Sequence, residues 1–334
     1  MGWGSEAGSQ GSGEELSRSL PESPGPFSLL PIPINAICRS TRSTRNQPSM
    51  RDESALTPVQ PVNLVPLFPG LHRELMTLLR GLEPADWLEP TACALWSVKD
   101  IVAHLLDTCL RRLSFDRDRL QSGGPRRAFA DYADLVGYIN QLNAEWVGTM
   151  RRVSPRLLMD ILDLAEPQLH AYFASLDPNA LATIGVAWAG EERSLNWFDL
   201  GREYTERWLH QQQIREAVRA PGLTERRWLH PTLDIFVRAL PFTYASVEAR
   251  PGTAVRLEIT GDAGGVWTLA RGGQNWELFT GTAPSPAAHV TMDQDVAWKL
   301  FSKGLRPERA HREVRLAGDE SLGRPMLGAL GVMA

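Results

Sequence analysis

The stretch from Arg202 to Ile214 leaves few folds open to the rest of the chain. It reads as a helix, entered near Ser194 or Asn196, with Glu206 and His210 one turn apart and on one face. Asp199, Glu206, His210 and Gln213 share that face, flanked by Phe198, Leu209 and Ile214, while Trp197, Leu200, Tyr204 and Trp208 lie across the helix. A helix that is apolar on both sides of a polar centre is expected to be buried twice, inside a bundle and under a second layer. A carboxylate above an imidazole in that setting is either a buried hydrogen-bonded pair or two metal ligands. The pair alone leaves both readings open.

The segments before it are helical in pattern. Residues 67–82 carry Leu71, Leu75, Leu78, Leu79 and Leu82 at helical spacing, and Gly81 and Pro84 end the run. A second helix opens at Ser97 with Asp100 three residues on, an acidic form of the capping box, and is expected to reach about Leu120. Its main stripe is Val98, Val102, Leu105, Leu106, Cys109 and Leu113, and His104 falls roughly opposite, so His104 is exposed or the helix is covered on two sides. Residues 129–153 predict a further helix. Another is expected from Pro155 to about Leu176, with Pro155 suited to the first helical position and Pro167 expected to kink or break it.

Past Pro221-Gly222 the texture changes. A helix over 231–240, ended by Pro241, leads into period-2 segments at 254–260, 266–270, 276–280 and 289–292, with Gly-rich hairpin turns at 261–265 and 271–274. A helix over 293–303, a strand over 312–316 and a closing helix over 320–330 complete the pattern. The expected fold is α+β and multidomain: a tail over residues 1–56, a helical bundle over 57–220, and a small α+β domain with a mainly antiparallel sheet over 221–334. The tail, rich in Ser, Gly, Pro and Arg, is expected to be disordered. Met50 stands just before the compositional change, and one reading takes it as the true start, with the tail a gene-model extension; native N-terminal peptides from before Met50 would sink that reading.

Catalytic zinc sites take three His or carboxylate ligands and keep a position open. Glu206 and His210 supply two, and the third would come from another helix of the bundle. His104 is the best candidate on pattern, since core leucines do not claim its face; His170 comes second. His72 lies near a helix start, His230 precedes Pro231 and suits a cap or turn, and His289 and His311 sit at expected strand edges. Glu-x-x-x-His is not the His-Glu-x-x-His of zinc proteases. Cys93 and Cys109 could be thiol nucleophiles, though buried structural cysteines are far commoner. The tryptophans, Trp96, Trp146, Trp188, Trp197 and Trp208, line a pocket or fill a core.

A net charge of −4 lacks the basic surplus of a nucleic-acid binder. Three cysteines without Cys-x-x-Cys spacing argue against a disulfide framework and fit a reducing cytoplasm. No apolar run approaches the roughly 18 residues needed to cross a bilayer. A small-molecule substrate is the expected partner, with no nucleic acid and no membrane; monomer and homodimer stay open.

Trp96-Ser97-Val98-Lys99-Asp100-Ile101-Val102-Ala103-His104-Leu105 resembles the second helix of DinB-like four-helix bundles, and Glu206-x-x-x-His210 resembles the paired ligands on their last helix. Residues 288–292 with the helix after them, followed by Val314-Arg315-Leu316-Ala317-Gly318-Asp319, are similar to the sterol-carrier-like domain that follows such a bundle in mycothiol-dependent maleylpyruvate isomerases. The resemblance spans residues 60–331, with the segment 129–153 as an extra helix. It implies that His104, Glu206 and His210 ligate a divalent metal, commonly zinc, and that a low-molecular-weight thiol such as mycothiol serves as cosubstrate. The implied chemistry is isomerisation of a small unsaturated acid, or thiol transfer to an electrophile. Arg111, Arg202 and Arg238 are the candidates for contacting thiol or substrate. Two other readings stand beside it: a non-enzymatic binder of an apolar ligand with a structural metal, and a helical interaction protein with no metal.

Overall fold

The computed structural model describes residues 56–120, 132–183, 189–190 and 193–331, all within one compact unit. The expected tail, the turn after Leu120 and the surroundings of Trp188 lie outside the described residues.

Five long helices form the first half. Helix α1 (Phe68–Arg80) buries Phe68, Leu71, Leu75, Met76 and Leu79, the leucine stripe of the sequence. Helix α2 (Val98–Arg111) begins with the expected capping box: Ser97 Oγ accepts from the Asp100 N–H while the Asp100 carboxylate accepts from the Ser97 N–H. It continues as a wider, π-type turn over Arg112–Arg117. His104 is buried because α2 is covered on more than one side, by α3 (Tyr132–Met150), α4 (Pro155–Ser175) and α5 (Asn196–Ala217). Trp146 of α3 fixes one of these contacts by donating from Nε1 to the Ala103 carbonyl.

Pro167 neither breaks nor ends α4, which runs unbroken to Ser175. The ring removes one backbone bond, while Leu162, Ala165, Glu166 and Leu169 stay buried on either side and hold the segment in register. The start of α5 also departs from expectation. Its cap is Leu195, with no side-chain hydrogen bond. The first N–H groups are satisfied from elsewhere: those of Asn196 and Trp197 donate to the carbonyls of Ala180 and Pro178 in the preceding turn.

The second half opens with α6 (Arg226–Phe236), which contains Pro231 in its interior rather than starting there. Pro241 likewise stands at the start of a short α7 (Leu240–Thr243) instead of ending a helix. The sheet is six-stranded: β1 (Thr57–Pro58), β2 (Ala254–Thr260), β3 (Gly265–Arg271), β4 (Trp276–Thr280), β5 (Ala288–Asp293) and β6 (Arg315–Gly318), ordered β1-β4-β3-β2-β5-β6. All pairs are antiparallel except β2–β5. Helix α8 (Gln294–Phe301) follows β5. Residues expected to begin the last strand form α9 (Pro307–Glu313), so His311 is helical, and the closing helix is a short α10 (Glu320–Gly323) followed by a 3-10 stretch.

The apolar core is continuous from α1 to the sheet. Tyr204 Oη donates to the Trp228 carbonyl of α6, and Trp208 Nε1 donates to the Leu223 carbonyl. The Trp208 ring also meets Trp298 of α8 edge-on at 5.5 Å. The second apolar side of α5 therefore packs on the sheet half, as its two-sided pattern requires. Among the described residues no helix is long and apolar enough to cross a membrane.

Candidate metal centre

The capping box sets the start of α2 and with it the azimuth of His104; the long helix α5 presents Glu206 and His210 one turn apart. Where the two helices meet, His104 Nε2 lies 2.9 Å and His210 Nε2 3.1 Å from the same oxygen, Glu206 Oε1. One ligand atom from each residue falls within 4.8 Å of the others. The imidazole rings are edge-on at 4.9 Å, and the Trp96 ring lies 4.9 Å from His104 and 6.2 Å from His210. Both histidine side chains are nearly closed off, whereas Glu206 is 36% exposed, so the cluster opens to solvent on its carboxylate side.

The electrostatics follow from this geometry. Burial pushes His104 below the ordinary imidazole value, helped by the charges of His210 and Arg111, so it is neutral. Burial alone would raise the Glu206 carboxyl, but His210 and His104 hold it well below its usual range. Burial would also lower His210; the Glu206 carboxylate and a contact with Cys93 override it and push the imidazole up to about 10. His210 Nδ1 lies 2.8 Å from Gln213 Oε1, an atom that only accepts, so the ring holds a proton there. A second positive centre is then needed between Nε2 and Glu206 Oε1. A proton supplies it by making the ring imidazolium; a divalent cation can replace that proton. The donor set, two imidazoles and a carboxylate with one side open, fits zinc or a similar ion.

Three of the other histidines are engaged elsewhere. His170, the second candidate for the third ligand, pairs with Glu166 at 2.8 Å on its own helix. His72 meets Asp163 at 2.9 Å, and His230 lies against the Ala263 carbonyl and stacks on Trp267. Among the candidate arginines, Arg111 pairs with Asp107 and donates to Asn143, Arg202 pairs with Asp199, and Arg238 pairs with Asp234 beneath the Trp197 ring. Cys93 and Trp96 are the neighbours that pattern did not single out as part of the cluster. They sit on the loop before α2, which has no period to read. Cavities of about 290 Å³ beside Gln212 and Trp298, and about 480 Å³ beside Leu300 and Leu327, include none of the three clustered residues.

A crystal structure of the mycothiol-dependent maleylpyruvate isomerase aligns with a TM-score of 0.46 at 10% identity, covering 76% of this chain and 91% of that one. A structure of that isomerase with one histidine changed to alanine aligns at 0.44 and 11%, with the same coverage. No curated protein matches the chain. The family model of the mycothiol maleylpyruvate isomerase N-terminal domain matches residues 68–215, from the start of α1 to the end of α5, and this span holds His104, Glu206 and His210. These five helices are thus similar to the mycothiol maleylpyruvate isomerase N-terminal domain.

Proposed function

We propose that the chain is a divalent-metal-dependent, thiol-using enzyme that isomerises a small unsaturated acid or transfers the thiol to an electrophile. The observation that carries this is the meeting of His104 Nε2 and His210 Nε2 on one oxygen of a half-open Glu206. These three side chains would hold the metal, and two imidazoles with one carboxylate suit zinc. When bound, the metal supplies a positive centre that favours the thiolate form of a low-molecular-weight thiol such as mycothiol.

The chain's own residues do the rest. Glu206 leaves the approach open on its exposed side, and the Trp96 ring lies against both imidazoles. Arg111 adds positive charge near His104 and suits a carboxylate-bearing substrate. A thiolate that adds to the unsaturated carbon turns a double bond into a single one. Rotation and loss of the same thiol then give the isomer, while protonation of the adduct gives the transfer product. The cytoplasm, as the compartment that keeps such thiols reduced, is the matching location.

A second reading, a binder of an apolar ligand with a structural metal, draws on the cavity lined by Leu300, Leu305, Leu327 and Leu330. Metal content and turnover separate the readings. Purified protein is expected to carry about one zinc per chain, lost in both His104→Ala and His210→Ala, and to turn over unsaturated acids only with added thiol. Metal retained by both variants would overturn the site; full metal without thiol-dependent turnover would favour the binder.

A further inference from the structure

The surroundings of the two histidines are unequal. His104 Nδ1 is buried and has no hydrogen-bond partner among the described residues, so on that side the ring is held by packing against Trp96 and not by a polar support. His210 has a polar support. Its Nδ1 donates to Gln213 Oε1 at 2.8 Å, and Cys93 Sγ lies 3.1 Å from the same oxygen. An amide oxygen has two lone pairs and takes both donors at once.

Gln213 follows His210 by three residues, so both project from one face of α5. Cys93 comes from the loop before α2. That loop is closed on itself, with the Thr91 hydroxyl and N–H both donating to the Trp96 carbonyl. The same loop thus presses a ring on His104 and steadies the amide that faces His210.

From this arrangement we infer that Gln213 is the positioning residue of His210: it fixes the proton on Nδ1, turns Nε2 toward Glu206 and His104, and is itself held by the Cys93 thiol. The inference rests on the metal reading above. Outer partners of ligating histidines set tautomer and ring angle, and their loss typically weakens metal binding ~10–100-fold. A carboxylate at the same place would also accept from Nδ1, with added negative charge, so the role needs an acceptor and not an amide as such.

The test is the zinc dissociation constant of the full chain, read by competition with a chromophoric chelator. Gln213→Leu is expected to weaken zinc binding about 10–100-fold while the metal-free protein still unfolds in one cooperative transition. Gln213→Glu is expected to bind at least as tightly as the parent. Cys93→Ala should cost less than Gln213→Leu, and Cys93→Ser, which keeps a donor, less again. In the zinc-loaded parent, long-range nitrogen–proton NMR correlations should show His210 protonated at Nδ1; a proton on Nε2 would overturn the inference.

A zinc-free parent would overturn the metal reading and this inference together. Parent-like affinity in Gln213→Leu, with zinc still lost in His104→Ala and His210→Ala, would overturn the inference alone. Should Gln213→Leu fail to fold, Gln213→Glu decides: binding more than about tenfold weaker than the parent overturns the role.

Discussion

His210 holds its proton to about pH 10 in the metal-free protein, and that proton occupies the place a cation would take. Metal loading must therefore expel it. Between pH 7 and 9, loading should release about one proton per metal and the affinity should rise roughly tenfold per pH unit, as unbuffered titration and chelator competition would show. Stability of the metal-free protein has its own pH window. A raised imidazole stabilises fully below its ordinary 6.5 and loses the effect toward 10, while a lowered carboxyl stabilises above its ordinary 4.5 and loses it on acidification. The pair should help most between about 4.5 and 6.5, which urea denaturation across pH can check; replacing His210 by alanine should remove the loss of stability between 6.5 and about 10. At this scale the sequence was informative where spacing is local. Glu206 and His210 announce themselves by their separation, and His104 by standing off its own stripe. Cys93 is 120 positions from Gln213, and no local pattern encodes a contact of that span.

Helices α4 and α5 are joined by buried charge rather than by leucines alone. Arg207 donates to Glu166 at 3.3 Å and to Glu203 at 2.7 Å, and its charge, against the burial that would raise it, brings the Glu166 carboxyl down to about 2. Arg207→Ala would leave Glu166 buried without its main counter-charge and should cost about 3–5 kcal/mol, read by urea unfolding. Gly201 marks where α5 approaches α6: an added Cβ would lie 2.5 Å from Ile235 Cδ1, and Ile235 is fully buried. Gly201→Ala gains up to ~1 kcal/mol of helix propensity but overpacks that contact at ~1–3 kcal/mol, so a net loss and a lower thermal midpoint are expected. The helices of the first half and strands β2 to β5 were readable to within a few residues, whereas α9 was not expected and the closing helix stops at Gly323. Pro167 and Pro231 misled because a proline is a local penalty, and Leu169 and Leu233, both fully buried, show the tertiary packing that outweighs it.

Across the whole molecule, helical and sheet halves share one core, so far-UV and tryptophan signals should trace a single coincident unfolding transition; two separated transitions would contradict it. The α+β class and the mainly antiparallel sheet were legible from the hairpin turns. The parallel β2–β5 pair and the edge strand β1 were not: one joins segments distant in sequence, and the other is two residues ending in proline. The seam itself is the Trp208–Trp298 contact, the Tyr204 and Trp208 bonds to the 223–228 segment, and the Lys299–Glu216 pair at 2.8 Å. Its consequence is for modularity. A foreign sheet half grafted onto these helices would arrive without the indole that meets Trp208 or the carbonyls that Tyr204 and Trp208 seek. Chimeras cut at the Pro221-Gly222 junction should fold poorly unless Trp298 and the 223–228 segment travel with their own α5.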